Sequence, residues 1–266
     1  ILTDAVRGVH KFLVSARDND EGDNSAFLTA FNNGGFTSGN NGDMNGSGRT
    51  YVAWNWNAGG STATNSNGTI SSQVRASTTS GVSIVTYTGN GTGGATVGHG
   101  LGVAPEIVLI KRRNAADDWR MNIGPLLGSG KEGHSVKFNS TGGESDSNNL
   151  FNSTNPTSTV FTIGTDADVN GNTSTYLAYC FSGVSSFSKF GTYVGNGSSD
   201  GTFIFTGFKP AYVLMKNTTT GSTNFVIKTL AISLFNRADE ALEANTNDAE
   251  ESAFGSIDFL SNGFKL

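Results

Sequence analysis

The chain repeats itself, and that repetition constrains its fold more than any other feature. Tyr51-Val-Ala-Trp-Asn-Trp56 returns as Tyr176-Leu-Ala-Tyr-Cys-Phe181, 125 positions later. The match extends upstream, where Asp43-Met-Asn45-Gly46 and Thr50 correspond to Asp168-Val-Asn170-Gly171 and Thr175. Thr86-Tyr87-Thr-Gly89-Asn90-Gly91 returns as Thr192-Tyr193-Val-Gly195-Asn196-Gly197. Pro105-Glu-Ile-Val108-Leu109-Ile-Lys111 returns as Pro210-Ala-Tyr-Val213-Leu214-Met-Lys216. Phe31, Gly35 and Phe36 near one end match Phe259, Gly263 and Phe264 near the other. All pairs follow one cyclic order, which the chain enters partway. Residues 81–185 read as a complete unit. Residues 1–80 read as the C-terminal half of a unit before it, and residues 186–266 as a third unit lacking its last strand.

A unit of this length must be built from short elements. Gly, Asn, Ser and Thr supply 124 of the 266 residues, and charged residues only 15%. Long helices need Ala, Leu, Glu and Lys, whereas this composition favours turns and strands. With 18 Phe, 6 Tyr and 3 Trp there is enough apolar surface for a core, so disorder is a poor reading. Strands are expected at 82–88, 107–111, 119–123, 136–139, 160–163 and 176–181, each bounded by turn residues. Asn170-Gly171 reads as a hairpin turn leading into the last of these. That strand is apolar on both faces and so needs cover on both sides, from a second layer or a neighbouring subunit. About seven strands per unit is sandwich density. The expected fold is all-β, with tandem jelly-roll-like β-sandwich units, long Gly/Asn/Ser/Thr loops and little helix. The one candidate helix spans 236–251, on the spacing of Ala238, Ala241, Leu242 and Ala244.

Several function classes are disfavoured. A net charge of −5 gives no basic surface for nucleic acid. No apolar run nears the ~20 residues of a membrane-spanning helix, so no membrane insertion is expected. One cysteine, Cys180, cannot make an internal disulfide or a multi-cysteine zinc site. The chain opens on Ile1 rather than Met, which suggests a processed or partial chain.

The candidate sites are sparse. Asp166, Asp168 and Asn170 alternate like the start of a calcium loop, with Asn41, Asp43 and Asn45 as the earlier copy. The bidentate Glu of an EF-hand is replaced by Leu177, so an Asx turn is the stronger reading and calcium the only cofactor considered. The run Asp18, Asp20, Glu21 and Asp23 reads as a solvated loop tip. Gly89-Asn-Gly91-Thr-Gly-Gly94 fits a dinucleotide motif only literally, because a strand rather than a helix should follow it. His10, His99 and His134 have no counterpart in another unit, and Cys180 reads as a small core hydrophobe. Asp117 and Asp118 beside Trp119 would suit a glycosidase if a second acid faced them. Trp54 and Trp56 match Tyr179 and Phe181, and Trp119 matches Phe225, so all three read as core positions rather than sugar platforms.

The Thr-Tyr-x-Gly-Asn-Gly motif, His99-Gly-Leu-Gly-Val-Ala-Pro105, Val-Leu-x-Lys, Asp-x-Asn-Gly and the aromatic strand together resemble a domain repeated in virion proteins of marine tailed phages, labelled tail-fibre-like or structural proteins of cyanophages and their relatives. Leu2-Thr-Asp4-Ala-Val-Arg7-Gly8 is similar to that family's mid-domain segment. The resemblance implies a non-catalytic virion surface protein, of the tail-fibre or capsid-attached fibre or decoration type, serving host attachment or particle stability. Its implied partners are other virion proteins, further copies of itself, with a trimer as the usual fibre state, and a host surface glycan. Its implied location is the extracellular particle. Two rival readings are a bacterial extracellular adhesin or filament subunit that binds carbohydrate, and a polysaccharide-degrading tailspike.

Overall fold

The computed structural model describes residues 1–233, 235–252 and 255–266. Among these residues the chain forms twenty strands, all paired antiparallel, and four one-turn helices, so the all-β class holds. Its centre is a seven-stranded sheet. The strands run in the order Ser135–Lys137, Arg120–Asn122, Ile107–Arg112, Thr175–Phe181, Val82–Thr88, Ser72–Ser77 and Ala63–Asn65. The register places Leu109 opposite Tyr179 and Tyr179 opposite Ile84, so side chains of one face line up across the three middle strands.

Both faces of this sheet are covered by the chain itself. Val85, Tyr87, Val108, Ile110, Tyr176, Ala178 and Cys180 pack under the two-stranded ladder Ala95–Gly98 with Val160–Ile163 and the helical turns Asn148–Phe151 and Ala167–Asn170. On the opposite face Ile84, Leu109, Met121, Leu177 and Tyr179 meet Leu13 and Ala58 from the first unit and Phe225 from the third. The doubly apolar strand Thr175–Phe181 therefore lies between layers of one chain, and its cover is not an intersubunit face. The layers are unequal, a broad sheet against a two-stranded ladder, rather than the matched sheets of a jelly roll.

Matched segments of the sequence repeat share local geometry. In the first unit the amides of Gly39 and Asn41 donate to the carbonyls of Phe27 and Ala26, and in the second those of Gly164 and Asp166 donate to Leu150 and Asn149. At both glycines a Cβ would collide with a carbonyl oxygen, of Ala26 or Asn149, which explains the shared glycine. Between the second and third units, Asn139 Oδ1 accepts from the Trp119 amide at 3.0 Å and Asn245 Oδ1 from the Phe225 amide at 2.7 Å. The hairpin placing Phe31 opposite Phe36 recurs with Phe259 opposite Phe264.

Several expectations need correction. Residues 236–251 are not a helix. Leu242–Glu243 is a strand, and Ala241 and Glu251 exchange amide–carbonyl bonds as Ser135 and Ser145 do 106 positions earlier. The helical spacing of alanines yields there to strand pairing. Residues 51–56 are not a strand, and Trp56 is 53% exposed. In a complete unit this segment lies between two neighbours, the counterparts of Ile107–Arg112 and Val82–Thr88, and residues 1–50 contain neither. The Gly89–Gly94 turn is followed by a strand, as expected, but Val82–Thr88 and Ala95–Gly98 belong to different layers. A boundary at residue 80 cuts the hairpin in which Ser77 pairs with Val82, so the first two units share one sheet.

Candidate functional site

The Asp-x-Asn-Gly motif builds a one-turn helix closed by a tyrosine. Asp166 caps Ala167–Asn170, its Oδ1 accepting from the Asp168 amide at 2.9 Å. Asn41 caps Gly42–Asn45 in the same way at 2.8 Å. Five residues after the glycine, the Tyr176 hydroxyl accepts from the Gly171 amide at 2.6 Å and donates to the Ala167 carbonyl at 2.5 Å. Tyr51 does the same with Gly46 and Gly42, both at 2.7 Å. The glycine amide that a hairpin would have used is thus taken by a phenol, and Gly171 sits at φ −55°. Tyr176→Phe should cost about 1–3 kcal/mol, because it strands a buried amide and carbonyl. Tyr51→Phe, where Tyr51 is 48% exposed and water can substitute, should cost well under half as much. Urea unfolding of the two variants checks this ordering.

The three residues of the calcium reading are each engaged by the protein. Asp166 caps, Asp168 Oδ2 accepts from Arg120 Nε at 2.5 Å, and Asn170 Oδ1 accepts from the Asn90 amide at 2.9 Å. The Asn170 amide nitrogen donates to the Thr92 and Gly164 carbonyls, so this side chain plugs the Gly89–Gly94 loop. Among the described residues, no three His, Cys, Asp or Glu side chains gather as a metal site. The Asx turn is the geometry present.

Asp168 belongs to a patch of acids, each matched to a cation. Arg112 holds Asp117 at 2.9 Å, and Lys137 holds Asp118 at 2.5 Å. Burial would raise Asp118, but Lys137, Asn139 and Arg120 hold it below its usual value. Burial pushes Asp168 up to about 6, against the pull of Arg120 and with Asp117 and Asp166 as negative neighbours. A carboxyl raised on folding takes up protons as the chain folds. Its stabilisation is complete below its unfolded value and is lost as pH climbs through about 6. Asp168→Asn should therefore flatten the decline in unfolding free energy between about pH 4 and 7, measured by urea titration at each pH.

His99, Cys180 and Trp119 are likewise taken up by the core. His99 is buried, accepts at Nδ1 from the Leu101 amide and meets the Thr157 carbonyl at Nε2, and burial lowers its pKa. Cys180 is buried and free, and burial raises its thiol pKa. Trp119 is fully buried, as expected. The acidic run is only partly a solvated tip. Lys11 pairs with exposed Asp23, while Glu21 reaches inward to Arg7 at 3.1 Å and Arg113 at 2.8 Å. Sequence reasoning assigned no role to Arg7, which lies between Asp4 and Glu21 and also donates to the Tyr179 hydroxyl. No local spacing announces a contact that spans 172 positions.

The arrangement most suited to a function is the repeated docking between units. Lys111 donates to the Asp18 carbonyl of the first unit, and its counterpart Lys216 donates to the Thr141 carbonyl of the second. Trp119 Nε1 donates to the Val14 carbonyl, and its counterpart Phe225 stacks edge-on against Phe138 at 4.8 Å. Burial lowers the pKa of both lysines, although Lys216 is the more exposed of the two. The lysine and the aromatic residue of each unit thus grip the unit before it.

Over residues 1–266 the chain matches a family model described as a domain of unknown function, DUF7483. The chain belongs to the DUF7483 family. No curated protein and no solved structure matches it. For this DUF7483 chain the sequence repeat therefore reports on architecture: its shared positions are caps, clamps, close approaches and docking residues.

Proposed function

We propose that this chain is a structural surface module of a tailed-phage virion, of the tail-fibre or capsid-attached fibre or decoration type, contributing to host attachment or particle stability without catalysis. The observation that carries the reading is the docking used twice, Lys111 and Trp119 on the first unit, Lys216 and Phe225 on the second. Units that grip their predecessor in one way stack along an axis, which is what an elongated projection requires. The resemblance of the repeat motifs to virion proteins supports the same reading. Polar Gly/Asn/Ser loops leave the core untouched when they vary, which suits a receptor surface such as a host glycan.

The test is electron microscopy of purified particles, with the chain located by a specific antibody. Labelled projections or a labelled shell support the reading. A chain absent from purified particles, or one that releases reducing sugar from host polysaccharide, rules it out.

A further inference from the structure

We propose that Asn67–Gly68 is a site of spontaneous deamidation, and that the tyrosine clamp protects Asn45–Gly46 and Asn170–Gly171 from the same reaction. Asparagine before glycine is open to attack by its own backbone, because glycine has no Cβ to keep its amide nitrogen from the preceding side chain. That nitrogen gives up its proton and bonds to the asparagine Cγ. The Cγ–Nδ2 bond breaks, and ammonia leaves with the proton. Water then opens the resulting succinimide at either carbonyl. One product is aspartate. The other is isoaspartate, whose main chain is longer by one methylene.

The chain has eight Asn-Gly pairs, so the pair alone selects nothing, and the hydrogen bonds decide. Attack needs a glycine amide without an acceptor and an asparagine side chain free to turn. The Gly46 and Gly171 amides are held by the Tyr51 and Tyr176 hydroxyls, at 2.7 and 2.6 Å. Gly91 donates to the Asn170 carbonyl, and Gly263 lies in a paired strand. Asn41 and Asn196 each have Oδ1 tied to a nearby amide. At Asn67–Gly68, among the described residues, neither the asparagine side chain nor the glycine amide makes a hydrogen bond, and Asn67 is exposed. Asn33–Gly34, at a hairpin tip, is equally free.

The surroundings of Asn67 make its conversion consequential. A Cβ on Gly68 would collide with the Thr96 carbonyl oxygen. On either side the chain is fixed. The Asn67 amide donates to Asn65 Oδ1 at 2.9 Å, the Thr69 amide to Thr96 Oγ1 at 2.9 Å and the Ile70 amide to the Thr96 carbonyl at 3.0 Å. An added methylene between these points fits only if some of them release. Isoaspartate should therefore free Ile70 from its parallel bridge to Val97 and detach this end of the hairpin Ala63–Ser77 from the ladder. At Asn170 the damage would be greater, because its Nδ2 donates to the Thr92 and Gly164 carbonyls, which a carboxylate would repel. That is a bond the clamp closes off. This chemistry is independent of where the chain works.

The test is to age the purified chain in mildly alkaline buffer and follow each Asn-Gly peptide by mass spectrometry. Asn67 should convert about tenfold faster than Asn45 or Asn170, with Asn33 as the internal reference for an open turn. Tyr51→Phe frees the Gly46 amide at little cost in stability. It should raise conversion at Asn45 several-fold and leave Asn67 unchanged. Hydrogen exchange reads the consequence. The aged chain should lose amide protection at Ile70, and an aged Asn67→Gln chain, which keeps an amide but reacts far more slowly, should retain it. Asn67 that stays intact while Asn33 converts would overturn the proposal. So would an Asn45 rate that Tyr51→Phe leaves unchanged, or Ile70 protection that survives conversion of Asn67.

Discussion

Arg7→Met should destabilise the chain by about 3–5 kcal/mol, one of the two largest effects expected of a single substitution here. The Arg7 side chain is entirely buried, with Asp4 and Glu21 nearly so. Its Nε meets Asp4 at 2.5 Å, and its other nitrogens reach Glu21, the Leu2 carbonyl and the Tyr179 hydroxyl. Tyr179 in turn donates to Asp4 at 2.9 Å. Burial alone would raise Glu21, but Arg113 and Arg7 hold it below its usual value. Glu21 thus contributes stability that is present above its unfolded value and lost as pH falls through its folded one. Methionine fills the volume of arginine's stem but leaves the buried Asp4 carboxylate without its cation, while Glu21 keeps only Arg113. Arg7→Lys keeps the charge, loses the fork and should fall between. Urea unfolding at neutral pH reads all three chains. A loss under about 1 kcal/mol for Arg7→Met would mean that the cluster is solvated like a surface ion pair.

Val108→Asp should be comparably severe, at about 4 kcal/mol or more. Val108 is fully buried on a strand paired on both sides, and its side chain faces the core under the Val160–Ile163 ladder. A carboxylate there has no cation and no water. The counterpart substitution Val213→Asp should cost roughly half as much, since Val213 sits on an edge strand in the smaller cluster with Ile257, Phe259 and Phe264. Calorimetry distinguishes them further. Val108→Asp should lower the main transition, while Val213→Asp should split off an early transition for the third unit. Equal effects would mean that the third unit is as enclosed as the second.

The parts of the fold legible in the sequence were those fixed by local chemistry. Val160–Ile163 and Val82–Thr88 are apolar runs with turn residues at their ends, and both strands lie where expected. Thr175–Phe181 was legible as a strand with two buried faces, though not which parts of the chain cover it. The tyrosine clamp was present in both copies as an Asx residue, Asp, Asn, Gly and a Tyr five positions on. It was missed because Asn-Gly read alone signals a hairpin, and only the phenol converts it into a helical turn. Tyr51–Trp56 shows the opposite failure. Its residues favour a strand, but a strand exists only where neighbours accept its hydrogen bonds. The Arg7 cluster and the lysine docking were out of reach, because their partners lie across the fold rather than along the chain.

The paired grips of Lys111 with Trp119 and Lys216 with Phe225 have a consequence for how such chains change length. A gene segment that encodes one unit brings both halves of the joint with it, the residues that grip and the backbone that is gripped. Recombination between copies can then add or delete whole units without redesigning any junction. Length would then change in steps of one unit, much as a ladder is lengthened by rungs already cut to fit.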